Sequence, residues 1–362
     1  MKQIYKNIIK FIVFMSIVFA LLIILGRVFV PKWTEGEKQG QIYTILGFYE
    51  IPDDSIDVLF MGDSSIYKSV SPMQIYEKSG ITSYNYSVSS ARLYMMYYHL
   101  QEVLKTQKPK VVFIDTLTFF YDSKEIEPER RKSFDYLKLS GVKVKMIHDK
   151  VFESDFIDIV SYYLPILRYH GRWNELRSKD FIELTRDHYS VTKGYLISDD
   201  YKPNVNGYDY MNPDNRNVVM QDYVKEYFYK IIDLCKENNI DVVFLGIPDR
   251  RAWNYESSVL MQQLADETNT KFLDLNDKDK YPVDWNTDSE DGGMHFNISG
   301  AMKITDYVND YLIDNYDLPD HRNDSKYDMW NEDLKIYNQR RDKMLKELDR
   351  NIQNYDKNII NK

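Results

Sequence analysis

The amino-acid sequence predicts a three-layer α/β/α domain of about five parallel strands, preceded by one transmembrane helix. Three observations carry this reading. Short apolar runs alternate with segments of helical period, the pattern of a parallel sheet covered on both faces. One of them, Lys110-Val111-Val112-Phe113-Ile114-Asp115, is almost continuously apolar and follows Pro109, as buried parallel strands do. A lysine-flanked apolar segment opens the chain.

In that opening segment Lys2, Lys6 and Lys10 precede Phe11 to Leu25, a run broken only by Ser16, and apolar character continues through Val28-Phe29-Val30. From Phe11 to Val30 the run is long enough to cross a hydrocarbon core of ~30 Å. Arg27, near the far end, reaches the interface with its long side chain. No small-x-small cleavage pattern follows, so the segment reads as a retained anchor rather than a signal peptide. Three lysines on the short side favour a cytoplasmic N-terminus. The expectation is residues 1–10 in the cytoplasm, residues 11–30 as a single pass of the cell membrane, and everything after about Trp33 outside. Residues 31–52 read as a tether.

The domain proper is expected over 53–318. Its first strand is Ile56–Met61 and its second the short Tyr84–Val88, followed by a helix over Arg92–Lys105 and the strand Lys110–Asp115. Further on come the helix Asp222–Glu237, the strand Asp241–Gly246, the helix Ser257–Glu267, the strand Lys271–Leu275 and the helix Ser299–Ile313. Between these, about 122–221 is charged, tyrosine-rich and only patchily periodic. It reads as an insertion lying over the strand ends, a possible lid. Residues 319–362 read as a charged helical tail packed loosely on the domain.

Composition narrows the function. A net charge of −9 argues against nucleic-acid binding, which requires a basic face. Thirty-one tyrosines suit carbohydrate stacking or a filled core. The single cysteine, Cys235, excludes an internal disulfide. No cluster of ligands is spaced for a metal, and neither metal nor other cofactor is expected.

The stretch Ile56-Asp57-Val58-Leu59-Phe60-Met61-Gly62-Asp63-Ser64-Ser65 carries the chemistry. A buried strand ending in a small-residue turn presents its last side chain at the mouth of a parallel sheet, where ligands collect. Ser71-Pro72 then opens a helix, with Ser71 as N-cap. A serine at such a point becomes a nucleophile if a base reaches it. Of six histidines, only His295 stands in a telling context, Asp291-Gly292-Gly293-Met294-His295-Phe296-Asn297-Ile298-Ser299-Gly300-Ala301. It lies after the last strand and before the last helix of the domain, at the same sheet edge as Ser64. Asp291 is near enough to hold its second nitrogen, and Asn297 could hold the loop. Arg250 and Arg251, just past the fourth strand, are possible ligands for a phosphate or carboxylate.

Gly62-Asp63-Ser64 after the first strand and Asp291 to His295 before the last helix resemble the outer blocks of the SGNH (GDSL-like) hydrolases. The closer resemblance is to membrane-anchored SGNH-like proteins of the DltD type, which act beside membrane-bound O-acyltransferases. It extends over the N-terminal span, Gly62-x-Ser64-Ser65, Tyr84-Asn85-Tyr86, Lys108-Pro109-Lys110, and His295-x-Asn297 with Gly300-Ala301. The resemblance implies a flavodoxin-like SGNH domain with Ser64 as nucleophile, His295 as base and Asp291 as its orienting acid. Asp63, Asn85 and Asn297 would be supporting residues, and the backbone N–H groups of Ser64 and Ser90 would form the oxyanion hole.

Two departures stand out. Asp291 precedes His295 by one residue more than the family's Asp-x-x-His, with Asp288 and Asp284 as fallback acids. The family's Gly-x-Asn-Asp block is replaced by Ile114-Asp115-Thr116-Leu117-Thr118, which leaves its asparagine donor unidentified. The function implied is an extracytoplasmic O-acyltransferase that moves an acetyl or D-alanyl group onto hydroxyls of a cell-surface polysaccharide or teichoic acid. Its implied partner is a membrane-bound O-acyltransferase. The alternatives are a carbohydrate esterase or deacetylase with the same triad, and a non-catalytic scaffold.

Overall fold

The computed structural model describes residues 2–34, 38–121, 127–151 and 155–360. The expected start of the insertion at Asp122 and the last two residues of the tail lie outside the described residues. The chain divides into two compact units: one joins Met1–Trp33 to Phe134–His188, the other joins Thr34–Ser133 to Tyr189–Lys362.

The larger unit holds one parallel sheet of five strands: β1 (Val58–Met61), β2 (Ser83–Asn85), β3 (Val111–Asp115), β4 (Asp241–Gly246) and β5 (Lys271–Asp274). Their order is β2-β1-β3-β4-β5, with β1 paired to both β2 and β3. Alternate residues face opposite layers, as the period of two requires. Val58, Phe60, Val111, Phe113, Val243, Leu245 and Leu273 share one core with Met73, Ile75 and Tyr76 of the helix Pro72–Ser79 and with Ala301, Ile304 and Val308 of the helix Ile298–Asn315. Ile114 and Phe244 face the other way, beside Leu93 of the helix Leu93–Val103 and Phe228 and Ile231 of the helix Asp222–Glu237. The helix Tyr255–Thr268 packs along β4 and β5. The α/β class and the five parallel strands therefore match the sequence reading.

Several boundaries differ from it. β2 stops at Asn85 rather than Val88, although Tyr86 N and Val88 N still donate to Phe60 O and Gly62 O, at 2.8 and 3.1 Å. The expected tether contains a buried helix, Gln41–Phe48. Thr44 O accepts the Tyr84 hydroxyl at 2.8 Å, and Phe48 packs edge-on to Tyr84 and Tyr86. The C-terminal tail is not loosely packed. Its helix Asp328–Ile360 places Trp330, Tyr337 and Leu348 in the sheet core. One of the long-range ties to that helix is ionic: the buried Lys193 ammonium meets Asp333 and the Tyr189 hydroxyl. Burial lowers the Lys193 ammonium to about 8, with Asp333 acting in the opposite direction.

The supposed insertion is not one piece. Residues 127–133 and 189–221 belong to the sheet unit. Phe134–His188 instead groups with the N-terminal helix Lys2–Phe29. In that smaller unit the end of the apolar helix packs on Pro165 and Ile166 of a run of short helices. The N-terminal helix is long and apolar enough to cross a bilayer, and no residue of its most apolar stretch is buried.

Candidate active site

The turn after β1 is shaped by what lies against it. A Cβ at Gly62 would stand 2.4 Å from Asp115 Cβ and 2.6 Å from Ile66 Cγ1, so the exit of β1 passes the end of β3 only with glycine there. Asp63 caps the short helix Ser64–Tyr67, its Oδ1 accepting Ser65 N at 2.8 Å. Asn85, at the end of β2 and fully buried, donates from Nδ2 to Ile66 O and Val70 O, both at 3.1 Å. Asp115 closes the turn from β3: its Oδ2 accepts Ser65 Oγ at 2.7 Å and Asp63 N at 3.3 Å. Burial, and then the adjacent Asp63 carboxylate, push the Asp115 carboxyl well above the ordinary carboxylate range. The remaining Asp63 oxygen accepts the Tyr121 hydroxyl, and the Arg92 guanidinium lies 4.1 Å over the Tyr121 ring. Ser64 thus stands on a turn fixed from three strands.

His295 arrives on the loop before the helix Ile298–Asn315. Asn297 caps that helix, with Oδ1 accepting Ser299 N and Gly300 N, and its Nδ2 donates to Thr287 O at 2.9 Å. Phe296, next to the histidine, stacks on Trp285 with centroids 5.1 Å apart. Gly292 and Gly293 have φ of +92° and +118°, a region that side chains resist. The bulge they allow absorbs the extra residue between acid and base. Asp291 Oδ1 then accepts Met294 N and His295 N at 3.0 and 3.1 Å, while its Oδ2 lies 2.9 Å from His295 Nδ1. His295 Nε2 lies 2.8 Å from Ser64 Oγ. Burial alone would raise the Asp291 carboxyl, but the hydrogen bonds from His295 and the loop N–H groups hold it well below the usual range. A salt bridge from Lys68, just past the nucleophile's helix, to Glu290 joins the two loops.

The other expected residues are placed as follows. Asp288 is buried and turned away from His295, to Lys303 Nζ at 2.7 Å and Ser299 Oγ at 2.8 Å. Asp284 caps its own turn through Asn286 N. Neither fallback acid reaches the imidazole. Ser90 adopts φ +52°, two residues past the Val88 N–H that bonds Gly62 O, and its carbonyl accepts Arg92 Nη1. Arg250 is committed internally: Nε donates to Gly207 O at 2.6 Å, and the guanidinium pairs with Asp209. Arg251 is half exposed, donates to Asp291 O at 2.6 Å, and is 3.9 Å from Asp291 Oδ2. It borders the triad acid.

Two features escaped the sequence reading. The irregular segment 189–211 frames the site with hydrogen bonds, most of them from backbone groups. Lys193 O accepts Asn85 N, Leu196 N donates to Tyr67 O, and Asn204 Nδ2 donates to Gly292 O at 2.7 Å. The second is Asp249, which follows β4 as Ser64 follows β1 and could have been found by that logic. It is almost wholly buried, with Oδ1 accepting Arg251 N and Ala252 N and, among the described residues, no hydrogen-bond partner for Oδ2. Burial pushes its carboxyl up to about 6, Asp63 adds to the rise, and His295 opposes it.

A carboxyl raised in the folded state destabilises the fold once both states ionise. The penalty is absent below the unfolded value near 3.9 and complete above about 6. Asp249→Asn is therefore expected to stabilise the protein by ~3 kcal/mol at pH 8 and by almost nothing at pH 4, where the aspartate is already neutral. Thermal melts of both proteins at the two pH values measure this. An equal gain at both would show that ionisation is not the cause.

No family model and no curated protein matches this sequence. Among solved structures, it is similar to a GDSL-like lipase from Parabacteroides merdae, at 13% identity and a TM-score of 0.31. The match covers 71% of this chain and 94% of that one.

Proposed function

We propose that the protein is an extracytoplasmic serine O-acyltransferase built on a Ser64–His295–Asp291 triad. The observation that carries this reading is the unbroken line of hydrogen bonds from Asp291 Oδ2 through the imidazole to Ser64 Oγ, at 2.9 and 2.8 Å. Asp291 holds the tautomer that leaves Nε2 free to take the Ser64 proton. Ser64 Oγ then attacks the acyl carbonyl, and His295 returns the proton to the leaving group. An acceptor hydroxyl gives its proton to Nε2, attacks the acyl-serine, and leaves as the ester while Ser64 recovers its proton. The Ser64 N–H, which opens a helix and has no partner within it, serves the oxyanion together with the Ser90 N–H.

The acyl group is acetyl or D-alanyl, and the acceptor is a cell-surface polysaccharide or teichoic acid. The apolar N-terminal helix supports a single-pass anchor with the N-terminus inside, and the sequence resemblance supports a membrane-bound O-acyltransferase as the donor. A second reading, ester hydrolysis or deacetylation of the same polymers, is favoured by the partial exposure of Ser64 and His295, whose side chain is 16% accessible. Water could then replace the acceptor.

A fluorophosphonate reads the nucleophile without knowledge of the substrate. Mass spectrometry of the full-length protein should show one adduct on the peptide carrying Ser64. Partition of an acyl ester between water and an added polyol then separates transfer from hydrolysis. A folded protein that acquires no adduct would overturn the triad and leave the scaffold reading.

A further inference from the structure

The smaller unit has an unusual surface. Among the described residues outside the N-terminal helix, sixteen large hydrophobic side chains are exposed, and nine of them lie within Phe134–His188. All the exposed phenylalanine and tryptophan in that set is here: Phe156 at 79%, Trp173 at 72% and Phe181 at 53% accessible, with Ile157 and Ile182 beside them in sequence. Soluble surfaces rarely concentrate such residues without a partner.

The N-terminal helix fixes the depth of this surface in a bilayer. From Phe11 to Gly26 is fifteen residues, a rise of ~22 Å, so Gly26 lies ~8 Å short of the far edge of a ~30 Å hydrocarbon core. At that level Gly26 is flush against the short helices: a Cβ there would be 3.4 Å from Pro165 Cδ. Arg172 donates to Phe29 O, and Tyr136 to Pro31 O. The helices that touch the span therefore do so over the last ~8 Å of the hydrocarbon core and up to its headgroup edge. Arg177 and Lys179 are exposed just before Phe181 and Ile182, the pairing of cations with apolar side chains that interfacial helices use.

We propose that Phe134–His188 is a membrane-interface collar, with Phe156, Ile157, Trp173, Phe181 and Ile182 immersed in the phospholipid leaflet on the side away from Lys2, Lys6 and Lys10. This rests on the anchor reading of the N-terminal helix but not on the chemistry at Ser64. The collar holds the exit of the span at a set depth, with its apolar side chains ~5–10 Å into the boundary between headgroups and acyl chains.

The test places a single bimane label on the full-length protein in phosphatidylcholine vesicles, through Phe156→Cys, Trp173→Cys, Phe181→Cys or, in the span, Phe14→Cys. Burial pushes the Cys235 thiol up to about 12, so that residue stays unlabelled. In vesicles brominated high on the acyl chains, the labels at 156, 173 and 181 should lose about half their emission or more relative to unbrominated lipid, and aqueous iodide should not reach them. Quenching at 14 without quenching at 156, 173 and 181 overturns the collar and leaves the anchor standing. No quenching at 14 removes the anchor, and the collar with it. Shielding from iodide in native membranes but not in pure lipid would assign the surface to a protein partner instead.

Discussion

Ser64→Ala is expected to abolish acyl transfer and fluorophosphonate labelling while leaving the melting temperature within experimental error. Removing the nucleophile alone costs ~10⁶-fold in kcat in a serine hydrolase of comparable design, because the triad acts as a unit. The hydroxyl is not part of the structural framework. Its hydrogen bond runs to His295, whereas the turn is held by Asp63, Asn85 and Asp115. Turnover of a defined acyl ester, measured with a thermal melt on the same preparation, separates loss of chemistry from loss of fold. Retention of activity within ~10-fold of the wild type would remove Ser64 from the mechanism.

Asp291→Asn should lower kcat by ~10⁴-fold at unchanged KM, by favouring the tautomer that turns a proton rather than a lone pair towards Ser64. Its Oδ1 would still accept Met294 N and His295 N, so the loop keeps its shape. Asp288→Asn works as the contrasting variant, through stability. Asp288 is buried against Lys303 and Ser299, so its loss should lower the melting temperature, at a cost of ~1–3 kcal/mol, while folded protein turns over normally. Pre-steady-state acylation and melts on both variants read the difference. The opposite assignment of effects would move the orienting acid to Asp288.

The parallel sheet was legible because buried strands leave short apolar runs, and all five strand segments found from those runs are strands. Ser64 and His295 were legible for a related reason: each follows a strand or precedes a helix at one edge of the sheet. The Gly292-Gly293 pair announced the bulge. What was missed leaves no periodic trace. The segment 189–211 holds the site mostly through backbone groups, which every residue owns. Gln41–Phe48 is eight residues that mix the β-branched Ile42, Thr44 and Ile45 with the aromatic Tyr43 and Phe48, where neither period dominates. The C-terminal helix was misjudged for another reason. Its stripe of Trp330, Leu334, Tyr337, Leu345, Leu348 and Ile352 keeps helical spacing, but the many charges between those positions drew the reading towards a solvated tail.

The anchoring of that helix has a consequence for how the chain is made. Asn85, which braces the nucleophile's turn, donates its backbone N–H to the carbonyl of Lys193, and Lys193 is tied to Asp333 in the C-terminal helix. A ribosome adds ~5–20 residues per second, so the sheet is complete several seconds before Trp330, Tyr337 and Leu348 can cover its face. During that interval the nascent polypeptide displays an uncovered apolar layer and an unneutralised lysine, a ready target for chaperones and proteases. A prematurely terminated chain never leaves that state, so quality control can discard it before a half-built catalyst accumulates.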